Sequence, residues 1–314
     1  MLTKSVEART CAGQRMNYVE YESEIRSSEA ESENVRAVRD LFTCRDSVDA
    51  WHHERILQFV SPIIATYPNA HWLTVGDDGA DAWILRNYGV KALTASSISD
   101  ARLKKAKELG FLKDIEVRAL NAERLELPTR SFDLVLCAQA YHHLHRPPLA
   151  FYEFMRVSRI GFVLIEPTEC PTRPLEALRA LAKMLLRRRR PIYDEFEPVG
   201  NFVYRLSERE IFRMLAAAQI PWFAIKPFNT FYLQRLASQR RNSLRARLIF
   251  RTGIGVQDIL SSCGLMSPGL CVIFVPSSRV AESAQGALRA AHFRIVSIPT
   301  NPYTATNHDG VFKT

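Results

Sequence analysis

Between residues 71 and 165 the chain alternates short apolar runs with amphipathic stretches, the pattern of βαβ units and a parallel sheet. Runs at 71–75, 92–95, 116–119, 132–137 and 161–165 predict strands, and segments at 81–88, 100–109 and 148–157 predict the helices between them. Right-handed crossovers would place helices on both faces of that sheet. Further on, Ser207 followed by Glu210 marks a capping-box start for a helix over 207–218, and a strand is expected at 222–228. A helix near 256–263 and a strand at 270–275 complete the pattern.

The flanks read differently. Residues 1–50 form an N-terminal extension, polar and acidic up to about residue 35 and expected to be flexible or loosely helical there. Helical spacing starts with Val35, Val38, Leu41 and Phe42, and a second helix is expected over 51–67 with Ile56, Leu57, Val60, Ile63 and Ile64 on one face. The main domain is assigned to 51–275. Prolines at 167, 171 and 174 and a run of four arginines interrupt it, so 168–205 is read as an inserted basic lid. Residues 276–314 form a tail with one possible helix at 281–291.

Hydrophobic residues make up 47% of the 314 and charged residues 24%, as in a globular chain that buries a full core. No early apolar segment has the length of a secretion signal, and no run of eighteen apolar residues occurs, so a cytoplasmic location is expected. Six cysteines (Cys11, Cys44, Cys137, Cys170, Cys263 and Cys271) form no CxxC pair and read as reduced thiols. The net charge of +9 is concentrated: residues 173–255 hold seventeen Lys and Arg against six Asp and Glu. Such a region attracts an anionic partner, or is a set of solvated arginines on exposed helices.

The segment WLTVGDDGADAWIL joins a strand, a turn with Gly76 and Gly79, and a helix start. Three further blocks follow in order: KALTASSISDARLKKAKELG, LNAERLELPTRSFDLVLCAQAYHHLHRP and FYEFMRVSRIGFVLIEPTE. Together these resemble the class I S-adenosylmethionine-dependent methyltransferases, in particular the type 11 methyltransferase domain, over about residues 50–275. The resemblance implies a doubly wound, Rossmann-like α/β fold and S-adenosylmethionine as cofactor. It implies a methionine site at the turn Gly76, Asp77, Asp78 and Gly79, a ribose site at Ser97 and Ile98, an adenine site at Asn121, Ala122 and Glu123, and a wall at Cys137. Bottom-up chemistry agrees for the adenine: Asn121 or Glu123 offers a polar group to an exocyclic amine, and Leu125 and Leu127 offer apolar surface.

Two departures bear on function. The turn is short and acidic where the family has more glycine, and Ser97 stands where the family has a carboxylate for the ribose hydroxyls. A hydroxyl bonds more weakly than a carboxylate by roughly 1 kcal/mol. The expected activity is in-line methyl transfer to a small-molecule or glycan acceptor, with an anionic acceptor suggested by the basic region. The alternative is a catalytically inactive relative serving as a binding or scaffolding subunit.

Methyl transfer from a sulfonium needs positioning more than acid–base help. His142 and His143, in the loop after the fourth strand, are candidates for a base or for positioning groups. Trp51, His52 and His53 either close over the cofactor or start a helix packed on the sheet, the second being preferred. The HHLH run lacks helical i, i+4 spacing and a carboxylate partner, so no metal is expected. A dehydrogenase is disfavoured without GxGxxG, and nucleic acid without an aromatic binding module. The helix before Arg187, Arg188, Arg189 and Arg190 could meet an anionic membrane surface, although packing of Leu175, Leu178, Leu181 and Leu185 on the core is preferred.

Overall fold

The apolar runs become strands β1 (His71–Val75), β2 (Ala92–Ser97), β3 (Glu116–Ala119), β4 (Phe132–Ala138), β5 (Ser158–Glu166), β6 (Trp222–Phe228), β7 (Leu270–Pro276) and β8 (Arg294–Ser297). The helices are α1 (Tyr18–Ser32), α2 (Val48–Leu57), α3 (Ser61–Thr66), α4 (Ala80–Asn87), α5 (Ala101–Glu108), α6 (Pro147–Val157), α7 (Pro174–Arg187), α8 (Glu208–Ala217), α9 (Leu244–Ser262) and α10 (Ala284–Ala290). This computed structural model describes residues 18–32, 42–43, 46–169, 173–187, 196, 201–233, 236, 239–240, 243–277 and 279–301. Arg188, Arg189, Arg190, Cys11, Cys44, Cys170 and the expected helical positions at 35–41 lie outside them.

The eight strands form one sheet in the order β8-β6-β7-β5-β4-β1-β2-β3. Strands β3, β2, β1, β4 and β5 run parallel, and β7 lies antiparallel between β5 and β6. The chain leaves β1 to one side for β2 and β3 and to the other for β4. That reversal opens a crevice at the carboxyl ends of β1 and β4, where open α/β sheets take their ligands.

Side chains alternate across the central strands, so each face gets its own core. Trp72, Leu134, Leu136, Val163 and Phe274 lie under α2 to α5 and α10, while Leu73, Val135, Cys137, Phe162 and Ile273 lie under α6 and α8. Continuous apolar strands of this kind are what burial on both faces demands.

Three boundaries and one packing expectation differ from the sequence reading. The helix expected over 51–67 is broken by a 3₁₀ turn at Gln58–Val60 and restarts with Pro62 in its first turn, since proline lacks the N–H an unbroken helix needs there. Helix α9 begins at Leu244, well before 256, because Ala246 and Phe250 are buried against Val48 and Leu236 in a small third core. The segment set apart from residue 276 supplies α10 and edge strand β8, whose backbone pairs with β6. In α7, Leu178, Leu181 and Leu185 are exposed rather than packed on the core.

At Gly161 in β5 a Cβ would overlap the Val275 carbonyl oxygen of β7 and press on the Phe274 ring. Substitution Gly161→Ala should therefore force the two strands apart. Chemical denaturation is expected to show a loss of about 1–3 kcal/mol.

Candidate functional site

The turn after β1 is closed by one carboxylate. Asp77 is buried, and it accepts hydrogen bonds from the Thr74 hydroxyl (2.7 Å) and from the backbone N–H groups of Gly79 (2.6 Å), Asp81 (3.2 Å) and Ala82 (2.9 Å). Asp78 accepts from the Ala80 N–H at 3.1 Å. A helix start leaves its first N–H groups without backbone partners, and here side-chain carboxylates take them. Burial, with Asp78 alongside, raises the Asp77 carboxyl to about 6. Burial together with Asp77 and Asp78 holds Asp81 well above the ordinary carboxylate range.

In a dinucleotide-binding fold this helix start would receive a pyrophosphate. With its donors taken and three carboxylates gathered, it instead favours a positive charge. Arg102 pairs with Asp78 at 3.2 Å, leaving Asp77 and Asp81 without a cation of their own in any described ion pair.

A second buried carboxylate shapes the opposite wall. Glu166, at the end of β5, accepts from the N–H groups of Ala140 (3.0 Å) and Tyr141 (2.9 Å) and holds His142 Nδ1–H at 2.6 Å. It fixes the 3₁₀ turn Tyr141–His143 after β4. Gly76, on the facing turn, has φ 71°, and any Cβ there would overlap the Ala140 side chain, so glycine is required by the approach of the two turns.

Between these walls lies a cleft of about 650 Å³, within the range of small-molecule sites. Of the residues expected at the site, Gly76, Asp77, Asp78, Ser97, Ile98, Asn121, Ala122, Glu123 and His143 line it. Three do not. Gly79 faces Leu112 and Phe42. Cys137 is buried under α6 because strand alternation turns it away, and burial pushes its thiol well up. His142 is held by Glu166 behind the lining. Glu123 reaches the cleft with its carboxylate already bonded to Arg146, through the backbone N–H at 2.7 Å and Nε at 2.8 Å, which leaves it less free to meet an amine.

The sequence reading missed Asp81, Glu166 and the N-terminal contribution. Glu22 and Arg26 of α1 line the cleft, and Ser27 bonds Ser99 at 2.8 Å, so α1 lies over the end of β2 instead of standing free. The polar spacing of α1 carried no apolar stripe to announce this. His53 and Ile56 of α2 also line the cleft, while His52 is buried against Tyr232, its imidazole lowered to about 4 by burial. The helix that carries Trp51 to His53 thus packs on the sheet through Ile56 and Leu57 and also presents His53 to the cleft. Among the described residues no group of His, Cys, Asp and Glu is arranged to hold a metal.

Residues 74–165 match the family model described as a methyltransferase domain. Among solved structures, the chain is similar to a putative methyltransferase from Bacillus halodurans C-125 (16% identity, 71% of this chain and 97% of that one, TM-score 0.46). It is also similar to magnesium protoporphyrin IX methyltransferase from Synechocystis PCC 6803 with bound SAH (15% identity, 67% and 94% covered, TM-score 0.45). A third is a possible histamine N-methyltransferase from Thermotoga maritima (16% identity, 72% and 91% covered, TM-score 0.43). No curated protein matches the chain.

Glu166 satisfies three donors at once, so Glu166→Gln must leave one of them with an N–H group facing it or force the other histidine tautomer. A loss of about 1–3 kcal/mol in unfolding free energy is expected, read by urea denaturation. An unchanged midpoint and slope would show that the turn does not depend on this carboxylate.

Proposed function

We propose that this chain, whose residues 74–165 match the methyltransferase-domain family model, is an S-adenosylmethionine-dependent methyltransferase that methylates a small-molecule or glycan acceptor within the cleft described above. The observation that carries this reading is the acidic floor of Asp77, Asp78 and Asp81 at the carboxyl end of β1. Its helix donors are already capped, so it suits the positive methionine end of the cofactor and not a phosphate. The cofactor supplies a methyl group on a positively charged sulfur.

The chain's own residues then bind and orient. Asp81 and Asp78 face the positive charges, Ser97 meets the ribose, and the segment Asn121 to Glu123 borders the adenine. His143, at the cleft wall, acts as a base when the acceptor is a hydroxyl or a protonated amine. His142, tied to Glu166, positions that turn. Arg26 among the lining residues supports an acceptor that carries an anionic group. A reducing, cytoplasmic setting fits the buried free thiols of Cys137 and Cys271. The short turn, which suggested a scaffold, leaves the cleft open.

A pH series of calorimetric titrations tests the acidic floor. A cation favours ionised carboxylates, so binding releases protons, and affinity is lost as pH falls through the raised carboxyl of Asp77 at about 6. S-adenosylmethionine should therefore bind more tightly at about pH 7 than at about pH 5, with a smaller change for S-adenosylhomocysteine, which lacks the sulfonium charge. Equal slopes for the two would count against the assignment.

Ser97→Asp probes the ribose contact. A charge-assisted bond exceeds a neutral one by roughly 1 kcal/mol, so S-adenosylhomocysteine should bind up to about fivefold more tightly, less whatever Asp78 repels. No gain in a folded variant would remove Ser97 from the ribose site.

A further inference from the structure

Helix α9 has two unlike sides. Inward, Ala246 and Phe250 are buried against Val48 and Leu236, and the Trp51 ring lies tilted by 54° against Phe250 at 5.7 Å between ring centroids. Outward, Leu244, Leu248 and Ile259 are 85, 69 and 65% exposed. With 3.6 residues per turn, spacings of four and eleven put these three on one line along the helix. Arg247 and Arg251, also exposed, run beside that line, and Arg245 lies on its other flank.

Helix α7 repeats the arrangement. Leu178, Leu181 and Leu185 follow one another at spacings of three and four and are 61, 48 and 69% exposed, and no described side chain of this helix is buried. Its start is anchored to the segment after α9: the Leu175 N–H donates to the Leu265 carbonyl at 3.2 Å, and Glu176 accepts from the Ser267 N–H at 2.8 Å. Two exposed leucine lines therefore occur on helices joined at one point.

Among the described acids near these helices, Glu208 is ion-paired with Arg294 at 2.6 Å. Glu176 and the exposed Asp258 accept hydrogen bonds from neutral groups, the Ser267 N–H and Asn229 (2.9 Å), and keep their charge. The face is still leucine-rich and arginine-flanked, in the part of the chain that carries seventeen cations against six acids. Exposed apolar side chains grouped on one side of a helix mark an interaction surface, and isolated ones do not. A partner protein's apolar patch would satisfy the leucines without needing the arginines.

We propose that α7 and α9 dock this enzyme on an anionic lipid bilayer, the leucines entering the boundary between head groups and acyl chains while the arginines meet lipid phosphates. Among the described residues no helix is long and apolar enough to cross a membrane, so the contact is one of helices lying on the surface. The docked face lies one helix from the cleft. Helix α2, which packs on α9 through Val48 and Trp51, presents His53 and Ile56 to the cleft from its next turns.

Vesicle flotation of the full chain tests the proposal, using phosphatidylcholine vesicles containing phosphatidylglycerol, with pure phosphatidylcholine as the neutral control. The chain should float with the anionic vesicles. Binding should weaken by about tenfold or more when salt rises from about 0.1 M to about 1 M, which shortens the screening length from about 10 Å to about 3 Å. The triple substitution Leu244→Ser, Leu248→Ser, Ile259→Ser should reduce binding by about tenfold or more, as should Arg247→Glu with Arg251→Glu, while affinity for S-adenosylhomocysteine is retained. Leu178→Ser, Leu181→Ser, Leu185→Ser on the other helix gives an independent variant if the first does not fold. Failure to bind anionic vesicles, or equal binding to neutral ones at every salt concentration, overturns the proposal. So does vesicle binding that survives both triple substitutions while the chain passes from dimer to monomer, which would assign the face to a second copy.

Discussion

The buried carboxylate of Asp77 is the interaction on which the site depends. It joins the end of β1 to the start of α4 through four donors, and so sets both the direction of the helix and the width of the crevice beside it. A glycine-rich turn would leave those N–H groups pointing at the ligand. Here the protein supplies its own anion, and the helix start loses its appetite for phosphate. The same step gathers Asp81 close by, where burial makes the charged forms of Asp77 and Asp81 costly unless something positive arrives, while Asp78 is partly exposed and paired with Arg102.

Glu166 plays the matching part on the other side of the crevice. It caps the turn after β4 and holds His142, and the approach of Ala140 to Gly76 closes the distance between the two turns. The cleft is thus bounded by two carboxylate-capped turns, with α1 and α2 across its remaining sides. Preorganisation of this kind is what a displacement reaction asks of its protein, because little proton transfer is needed.

The interior and the surface divide their chemistry sharply. Acids collect around the cleft, whereas the cations concentrate in the later part of the chain, where exposed leucines accompany the described arginines of α7 and α9. A positively charged ligand inside and a negatively charged surface outside make opposite demands, and separating them in space lets one chain meet both.

Local pattern was enough to give the strands from β1 to β7, the capping box at Ser207 and Glu210, and the position of the cleft at the end of β1, since short apolar runs and cap chemistry are written in adjacent residues. The family resemblance pointed to Ser97 and Asn121, and these, with His143, line the cleft where strand ends meet the crevice. Local pattern did not show that α1 covers the cleft or that Glu166 organises the histidine turn, because those contacts join residues 72 and 24 positions apart. Nor did it separate Cys137 from the cleft or place β8 in the sheet. The face a strand residue takes, and the partner an edge strand finds, follow from how the whole sheet is packed. The sequence by itself determined the elements and their order; only the tertiary structure decided which carboxylates were spent on the backbone, which faced the ligand, and which leucines stayed in water, because each of those outcomes depends on what distant segments leave uncovered.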